Sequence, residues 1–128
     1  MLTVTPIYLA AAVVLYSVIA FIVIANRRRR RISIGDAGQT DFARMVRGHG
    51  NFAEYAPITL LAIGAAELAG APASVLHTCG ILLLCGRGLH AYCFLFMPVG
   101  LRIRVTGMML TFFSLWTASA AALFAVFA

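Results

Sequence analysis

The feature that most constrains this chain is a series of long apolar stretches, the first of which runs over residues 5–26 without a charged side chain. A helix rises about 1.5 Å per residue, so twenty-odd residues cross the roughly 30 Å hydrocarbon core of a bilayer. Of the 128 residues, 62% are hydrophobic and 11% are charged, which is typical of a membrane protein and not of a soluble domain. The sequence therefore predicts an all-α membrane protein with a single domain over residues 1–128.

Turn residues and charges divide the chain into four predicted transmembrane helices, which cover residues 5–26, 41–69, 72–97 and 102–127. The polar segment 27–40 is predicted to be a water-facing loop, and the other two links are short. Short links make successive helices antiparallel neighbours. The predicted fold is therefore a four-helix antiparallel bundle.

The arginines predict how this bundle crosses the membrane. All ten basic residues are arginine, and five of them form the run 27–31, while Arg102 and Arg104 follow the third helix. With four spans, these two basic segments lie on the same side. The positive-inside rule then places segments 27–40 and 98–104 in the cytoplasm and both termini outside, in an inner (plasma) membrane. Because no second basic patch or base-stacking module accompanies the run, nucleic acid is not an expected partner.

The second helix carries a polar stripe at a depth where such groups are costly. Arg47, Asn51 and Glu54 are spaced by four and three residues, and Tyr55 flanks them. At about 100° per residue these three side chains project within about 60° of each other. Ionisable groups inside a membrane are expensive and usually functional. We therefore take this face as a candidate binding site.

The third helix presents a second stripe, formed by Arg87, His90 and Phe94 at spacings of three and four. Two polar stripes have to face each other, a neighbouring subunit or a water-filled cavity, since lipid cannot satisfy them. The two stripes are thus predicted to form one site.

The charges of this predicted site do not balance. Arg47 and Arg87 bring two positive charges, Arg104 brings a third, and Glu54 supplies one negative charge. A buried unpaired charge is penalised, so the surplus favours an anionic ligand. The alternative is an interhelical ion-pair network with lipid headgroups as counterions.

Three segments of the chain resemble the MAPEG family, the membrane-associated proteins in eicosanoid and glutathione metabolism. They are Arg-Met-Val-Arg-Gly-His-Gly-Asn-Phe-Ala-Glu-Tyr-Ala-Pro at 44–57, Arg-Gly-Leu-His-Ala at 87–91 and Arg-Val-Thr-Gly at 104–107. The resemblance covers nearly the whole chain. It implies a homotrimer of four-helix subunits that binds glutathione as a co-substrate between adjacent subunits, near the cytoplasmic face.

The resemblance also implies roles for individual residues. The glutathione-binding residues would be Arg47, Asn51, Glu54, Tyr55, Arg87 and His90. Arg27 or Arg28 would join them from the end of the first helix, and we favour Arg28. The family's arginine at the start of the fourth helix matches Arg104 best and Arg102 second. A cation beside the glutathione thiol favours the reactive thiolate, so Arg104 is the predicted catalytic residue.

Phe94 departs from the family pattern, and because of this departure two functions remain as alternatives. Several members have a tyrosine where this chain has Phe94, which weakens the case for eicosanoid chemistry and leaves glutathione conjugation of lipophilic electrophiles or peroxide reduction. The alternative is a non-catalytic lipid-binding or scaffold protein of the same fold. A small four-helix exporter is disfavoured because the first helix lacks an acidic residue.

The three cysteines, at spacings of six and eight, match no metal motif, so no metal is expected.

Overall fold

The computed structural model describes residues 1–97 and 99–127 and contains the four helices α1 (Thr5–Arg30), α2 (Thr40–Leu68), α3 (Ala73–Phe96) and α4 (Leu101–Phe127). The predicted all-α membrane bundle is confirmed. Helices α1, α3 and α4 are long and apolar enough to cross a membrane. Helix α2 is long enough at 29 residues to cross a membrane, but because of its charged residues it is less apolar than the other three helices.

The first basic segment is more helical than predicted. Residues Arg27–Arg30 form the last turn of α1, not the start of a loop. Helix α4 begins at Leu101, one residue before its predicted start, and contains Arg102 and Arg104 as predicted. Arginine is a good helix former, and its charge is favourable at a helix C-terminus. Arg30 also forms an ion pair at 2.5 Å with Asp41 at the start of α2.

The start of α1 is capped by a carboxylate from the far end of α2. Glu67 accepts hydrogen bonds from the backbone N–H groups of Val4 and Thr5, both at 2.7 Å, and from that of Thr3. The first N–H groups of a helix lack partners within the helix, and Glu67 supplies them here. This contact makes α1 and α2 antiparallel and joins their ends.

A second capping contact joins α2 to α3. The Arg44 guanidinium donates to the carbonyl oxygens of Cys93, Phe94 and Met97 at 3.1, 2.8 and 2.6 Å. These carbonyls belong to the end of α3, where intrahelical donors run out and a cation is favourable. Arg44 therefore aligns the N-terminal half of α2 with the C-terminal half of α3, the two segments that carry the predicted stripes.

Helices α3 and α4 approach closely through small residues. A Cβ atom built on Gly86 would lie 2.7 Å from the Gly107 carbonyl oxygen, and one on Gly107 would lie 2.7 Å from the Gly86 carbonyl oxygen. Further along, the Ser114 hydroxyl donates to the Cys79 carbonyl at 2.7 Å. Small residues allow this kind of close backbone packing in membranes. The start of α4 consequently lies beside α3.

We expect the Arg44→Met variant to be destabilised by about 2 kcal/mol, because three helix-terminal carbonyls lose a charged donor. The measurement is thermal unfolding in detergent, followed by circular dichroism. Arg102→Met is the matched control, since the Arg102 side chain is exposed and makes no hydrogen bond within residues 1–97 and 99–127. Equal losses in the two variants would contradict the capping role.

Candidate functional site

The centre of the candidate site is a buried arginine. Arg87 is 1% exposed and is the largest fully buried side chain. Its Nε donates to Thr111 Oγ1 at 2.9 Å, and its Nη1 donates to Asn51 Oδ1 at 2.7 Å. Its Nη2 lies 3.1 Å from Met108 Sδ, and its Cζ lies 5.5 Å from the centre of the Tyr55 ring. Helices α2 and α4 thus surround a guanidinium carried by α3.

All of these partners of Arg87 are neutral. They satisfy its hydrogen-bonding groups, but within the described residues no carboxylate contributes a hydrogen bond or ion pair to it. A buried charge without a counter-charge is costly, and the cost falls when an anion comes close. The geometry around Arg87 therefore favours an anionic ligand.

A second part of the candidate site lies on the outer face of α2. The Arg47 Nη1 and Glu54 Oε1 atoms are 3.2 Å apart, and the two side chains are 63% and 51% exposed. The same exposed face continues into the apolar residues Ile58, Leu61 and Leu68. Charged groups on such a face need water, headgroups or a second protein copy around them. The Arg47–Glu54 pair is therefore accessible from outside the four-helix bundle.

The predicted single stripe on α2 is therefore divided. Asn51 is buried against Arg87, while Arg47 and Glu54 point outward and pair with each other. At about 100° per residue, Asn51 lies about 40° from Arg47 and about 60° from Glu54 around the helix axis, which is enough to turn it into the bundle. The positive surplus of the predicted site therefore lies on other residues than predicted: Glu54 neutralises Arg47, whereas within residues 1–97 and 99–127 neither Arg87 nor Arg104 forms an ion pair.

A third part of the site is built around the ring of Phe94. His90 stacks on it, with ring centroids 4.7 Å apart and planes 25° from parallel. The Arg104 Cζ lies 5.0 Å from the same ring, a cation–π contact. A Cβ atom at Gly48 would lie 2.5 Å from the Phe94 Cβ, so glycine lets α2 pass this ring. Phe94 thus joins the buried His90 to the exposed Arg104.

The structure does not bring every predicted residue to this site. Arg28 is exposed in the last turn of α1 and lines a separate depression with Arg31. Arg102 is exposed at the start of α4. The three cysteines are unpaired, and the described part of the chain holds no group of three His, Cys, Asp or Glu side chains suited to a metal ion.

Sequence reasoning missed Thr111, which fixes the orientation of the Arg87 guanidinium. Thr111 follows Gly107 by one turn on α4, and its hydroxyl donates to the Gly107 carbonyl at 2.9 Å while it accepts from Arg87. Two small residues four apart are the usual sign of a close helix contact in membranes. That spacing was the signal that could have identified Thr111.

Fold and site together define an integral membrane protein with a buried cation in a four-helix bundle, and comparisons identify its family. The model of the MAPEG family matches residues 5–124. The chain is similar to "Inner membrane protein YecN" of Escherichia coli strain K12 and of E. coli O6:H1 strain CFT073. Each is 35% identical over 91 residues, which cover 71% of this chain and 70% of the relative. The chain belongs to the MAPEG family, as its motifs predicted.

We expect Arg87→Met and Asn51→Leu to be energetically coupled. Each single change leaves one polar group of the buried pair without its partner, whereas the double variant removes both. The double variant should therefore be about 1–2 kcal/mol more stable than the sum of the single effects predicts. The measurement is a double-mutant cycle by reversible unfolding in detergent. The control cycle pairs Asn51→Leu with Arg29→Met, which should be additive, and additivity in both cycles would contradict the Arg87–Asn51 bond.

Proposed function

We propose that this protein binds glutathione at the end of the bundle that carries Arg47, Arg87 and Arg104, and uses it to conjugate lipophilic electrophiles or to reduce peroxides. The observation that carries the proposal is the buried Arg87 guanidinium, whose hydrogen-bond partners are all neutral. Membership of the MAPEG family, which includes glutathione transferases, supports it.

The charges of glutathione complement those of the site. Glutathione carries two carboxylates and one ammonium group, and arginine binds carboxylates through strong, often paired hydrogen bonds. In the proposal Arg47 and Arg87 take the carboxylates, Glu54 takes the ammonium, and Asn51 and Tyr55 complete the cradle. The Arg47–Glu54 pair is exposed, and such pairs contribute little, so the exchange of partners costs little.

The exposed position of Arg47 and Glu54 supports a site shared between copies of the chain. We therefore include the family's homotrimer in the proposal, with glutathione between adjacent subunits and Arg28 joining from a neighbouring α1. The name of the relatives supports an inner membrane location. The arginine-rich ends of α1 and α4 are proposed to face the cytoplasm, as the positive-inside rule predicts.

Arg104 is the proposed catalytic residue. A guanidinium beside the thiol of glutathione lowers the pKa of that thiol and so raises the thiolate fraction. In conjugation the thiolate sulfur forms a bond to the electrophilic carbon, the leaving group departs with the bonding electron pair, and the thiol proton passes to solvent. His90, packed on Phe94 next to Arg104, is proposed to line the same region.

One observation favours the second candidate, a non-catalytic lipid-binding or scaffold protein. Phe94 occupies the position between His90 and Arg104 and has no hydroxyl group to offer a proton or a hydrogen bond. Thiolate absorbance in the ultraviolet distinguishes the two candidates, because only the enzyme needs bound glutathione to be ionised.

We expect Arg47→Ala and Glu54→Ala each to abolish measurable glutathione binding. Each removes one charge that the ligand needs and leaves the other unpaired, a loss of at least about 2 kcal/mol or 30-fold in affinity. The measurement is isothermal titration calorimetry in detergent. Arg29→Ala is the control, since Arg29 is exposed and its side chain donates to Asn26 in its own helix and to no other described residue. Unchanged affinity in the first two variants would overturn the site assignment.

We expect Arg104→Ala to lower the turnover of a generic aryl halide more than it lowers glutathione affinity, because the charge acts on the thiolate in the transition state. Conjugation kinetics with the purified protein, together with the thiolate absorbance of the complex, measure the two effects. An equal loss in turnover and affinity would reduce Arg104 to a binding residue. Normal glutathione binding without turnover or thiolate in the unmodified protein would favour the scaffold candidate.

A further inference from the structure

The arginine run at the end of α1 is divided into two groups by its contacts. Arg27 donates to the Gly35 carbonyl at 2.9 Å, and Arg30 binds Asp41 and Gln39. Both guanidinium groups also lie over the Phe42 ring, at 5.2 and 5.4 Å from its centre. The side chains of these two arginines therefore hold the segment between α1 and α2 in place through contacts within the protein.

The second group is Arg28 and Arg31, which line a depression of about 360 Å³ beside the last turn of α1. Its lining residues are Ile24, Arg27, Arg28, Arg31, Ile32 and Ser33. The depression has a fixed floor, because Ile32 is buried with Val23 and Phe42 in one small apolar cluster. Its volume is near the lower end of small-ligand sites, roughly 300–1,000 Å³.

The charge of this depression is not balanced within the chain. Arg28 and Arg31 are exposed at its rim, and within residues 1–97 and 99–127 neither forms an ion pair. Of the acidic residues that follow the run, Asp41 is held by Arg30, and Asp36 accepts a hydrogen bond from the Gly38 backbone N–H at 2.8 Å. Guanidinium groups bind phosphate through paired hydrogen bonds, so a phosphate group fits this surplus.

The apolar residues beside the depression indicate whether the phosphate group belongs to a lipid or to a soluble molecule. Ile24 is 44% exposed and lies one turn inside the apolar stretch of α1, and Ile34 is 88% exposed on the adjoining segment. Arginine above exposed isoleucine at the end of a spanning helix matches a phospholipid, with its headgroup at the membrane surface and its chains in the core. A soluble phosphate would gain nothing from the isoleucines.

We propose that the depression lined by Arg28, Arg31 and Ser33 is a specific site for the phosphate of an anionic glycerophospholipid, with Ile24 contacting its acyl chain. The depression lies outside the Arg87 and Arg47–Glu54 parts of the candidate site and shares only Arg28 with the proposed glutathione site. Arg31, Ser33 and Ile24 belong to the lipid site alone, so its test is carried out without glutathione and can fail separately from the proposed function.

Native mass spectrometry of the full chain in detergent, without glutathione, tests this site with phosphatidylglycerol and phosphatidylcholine as probes. We expect one phosphatidylglycerol per chain to be retained over phosphatidylcholine. The double variant Arg28→Gln/Arg31→Gln should lower that occupancy at least fivefold. The control Arg29→Gln/Arg102→Gln removes the same charge from exposed positions outside the depression and should stay within twofold. Equal losses in both variants would mean diffuse attraction and overturn the site.

Two further experiments refine the assignment. One tests whether the acyl chain contributes to binding besides the charge, and the other tests whether a soluble phosphate competes with the lipid. Ile24→Ser changes no charge and should lower phosphatidylglycerol occupancy about threefold. Glycerol 3-phosphate in tenfold excess should leave the lipid bound, because it lacks the acyl chains. Full displacement by glycerol 3-phosphate, or unchanged occupancy in Ile24→Ser, would overturn the assignment to a lipid.

Discussion

The arrangement of this bundle depends on the burial of one guanidinium group. Arg87 donates hydrogen bonds to Asn51 on α2 and to Thr111 on α4, so a single side chain fixes three helices relative to one another. The surrounding lipid offers no polar alternative, which makes these neutral partners indispensable for the apo protein. The same interaction leaves a positive charge unbalanced at the centre of the bundle. Structural cohesion and readiness for an anion therefore have one origin.

Around this centre several charged groups cap helices or hold the segment between two helices in place. Arg44 caps α3, Glu67 caps α1, and Arg30 closes the segment between α1 and α2 on Asp41. Each of these contacts satisfies groups that the bilayer would leave bare. Among the charges without such a contact, Arg28 and Arg31, the Arg47–Glu54 pair, and Arg87 with Arg104 lie in the regions for which we propose ligands.

The apolar stretches were enough to predict α1, α3 and α4, because a membrane span has a fixed length and a helix satisfies its own backbone groups in lipid. The bounds of α2 came from turn residues and charges. The three-and-four spacing also identified Asn51, Arg87 and His90 as inward-facing candidates. It failed to separate Asn51 from Arg47, because periodicity gives the direction of a side chain about its own helix axis and not the rotation of that helix against its neighbours. The long-range caps made by Arg44 and Glu67 leave no local sequence pattern, since their acceptors and donors are backbone groups far along the chain.

The cap that Glu67 provides has a consequence for how the protein is made. The N–H groups at the start of α1 are synthesised more than sixty residues before their acceptor. This cap therefore cannot form before Glu67 itself has been synthesised. Synthesis of α1 and completion of its N-terminal cap are thus separate events, and the second requires translation to continue through α2.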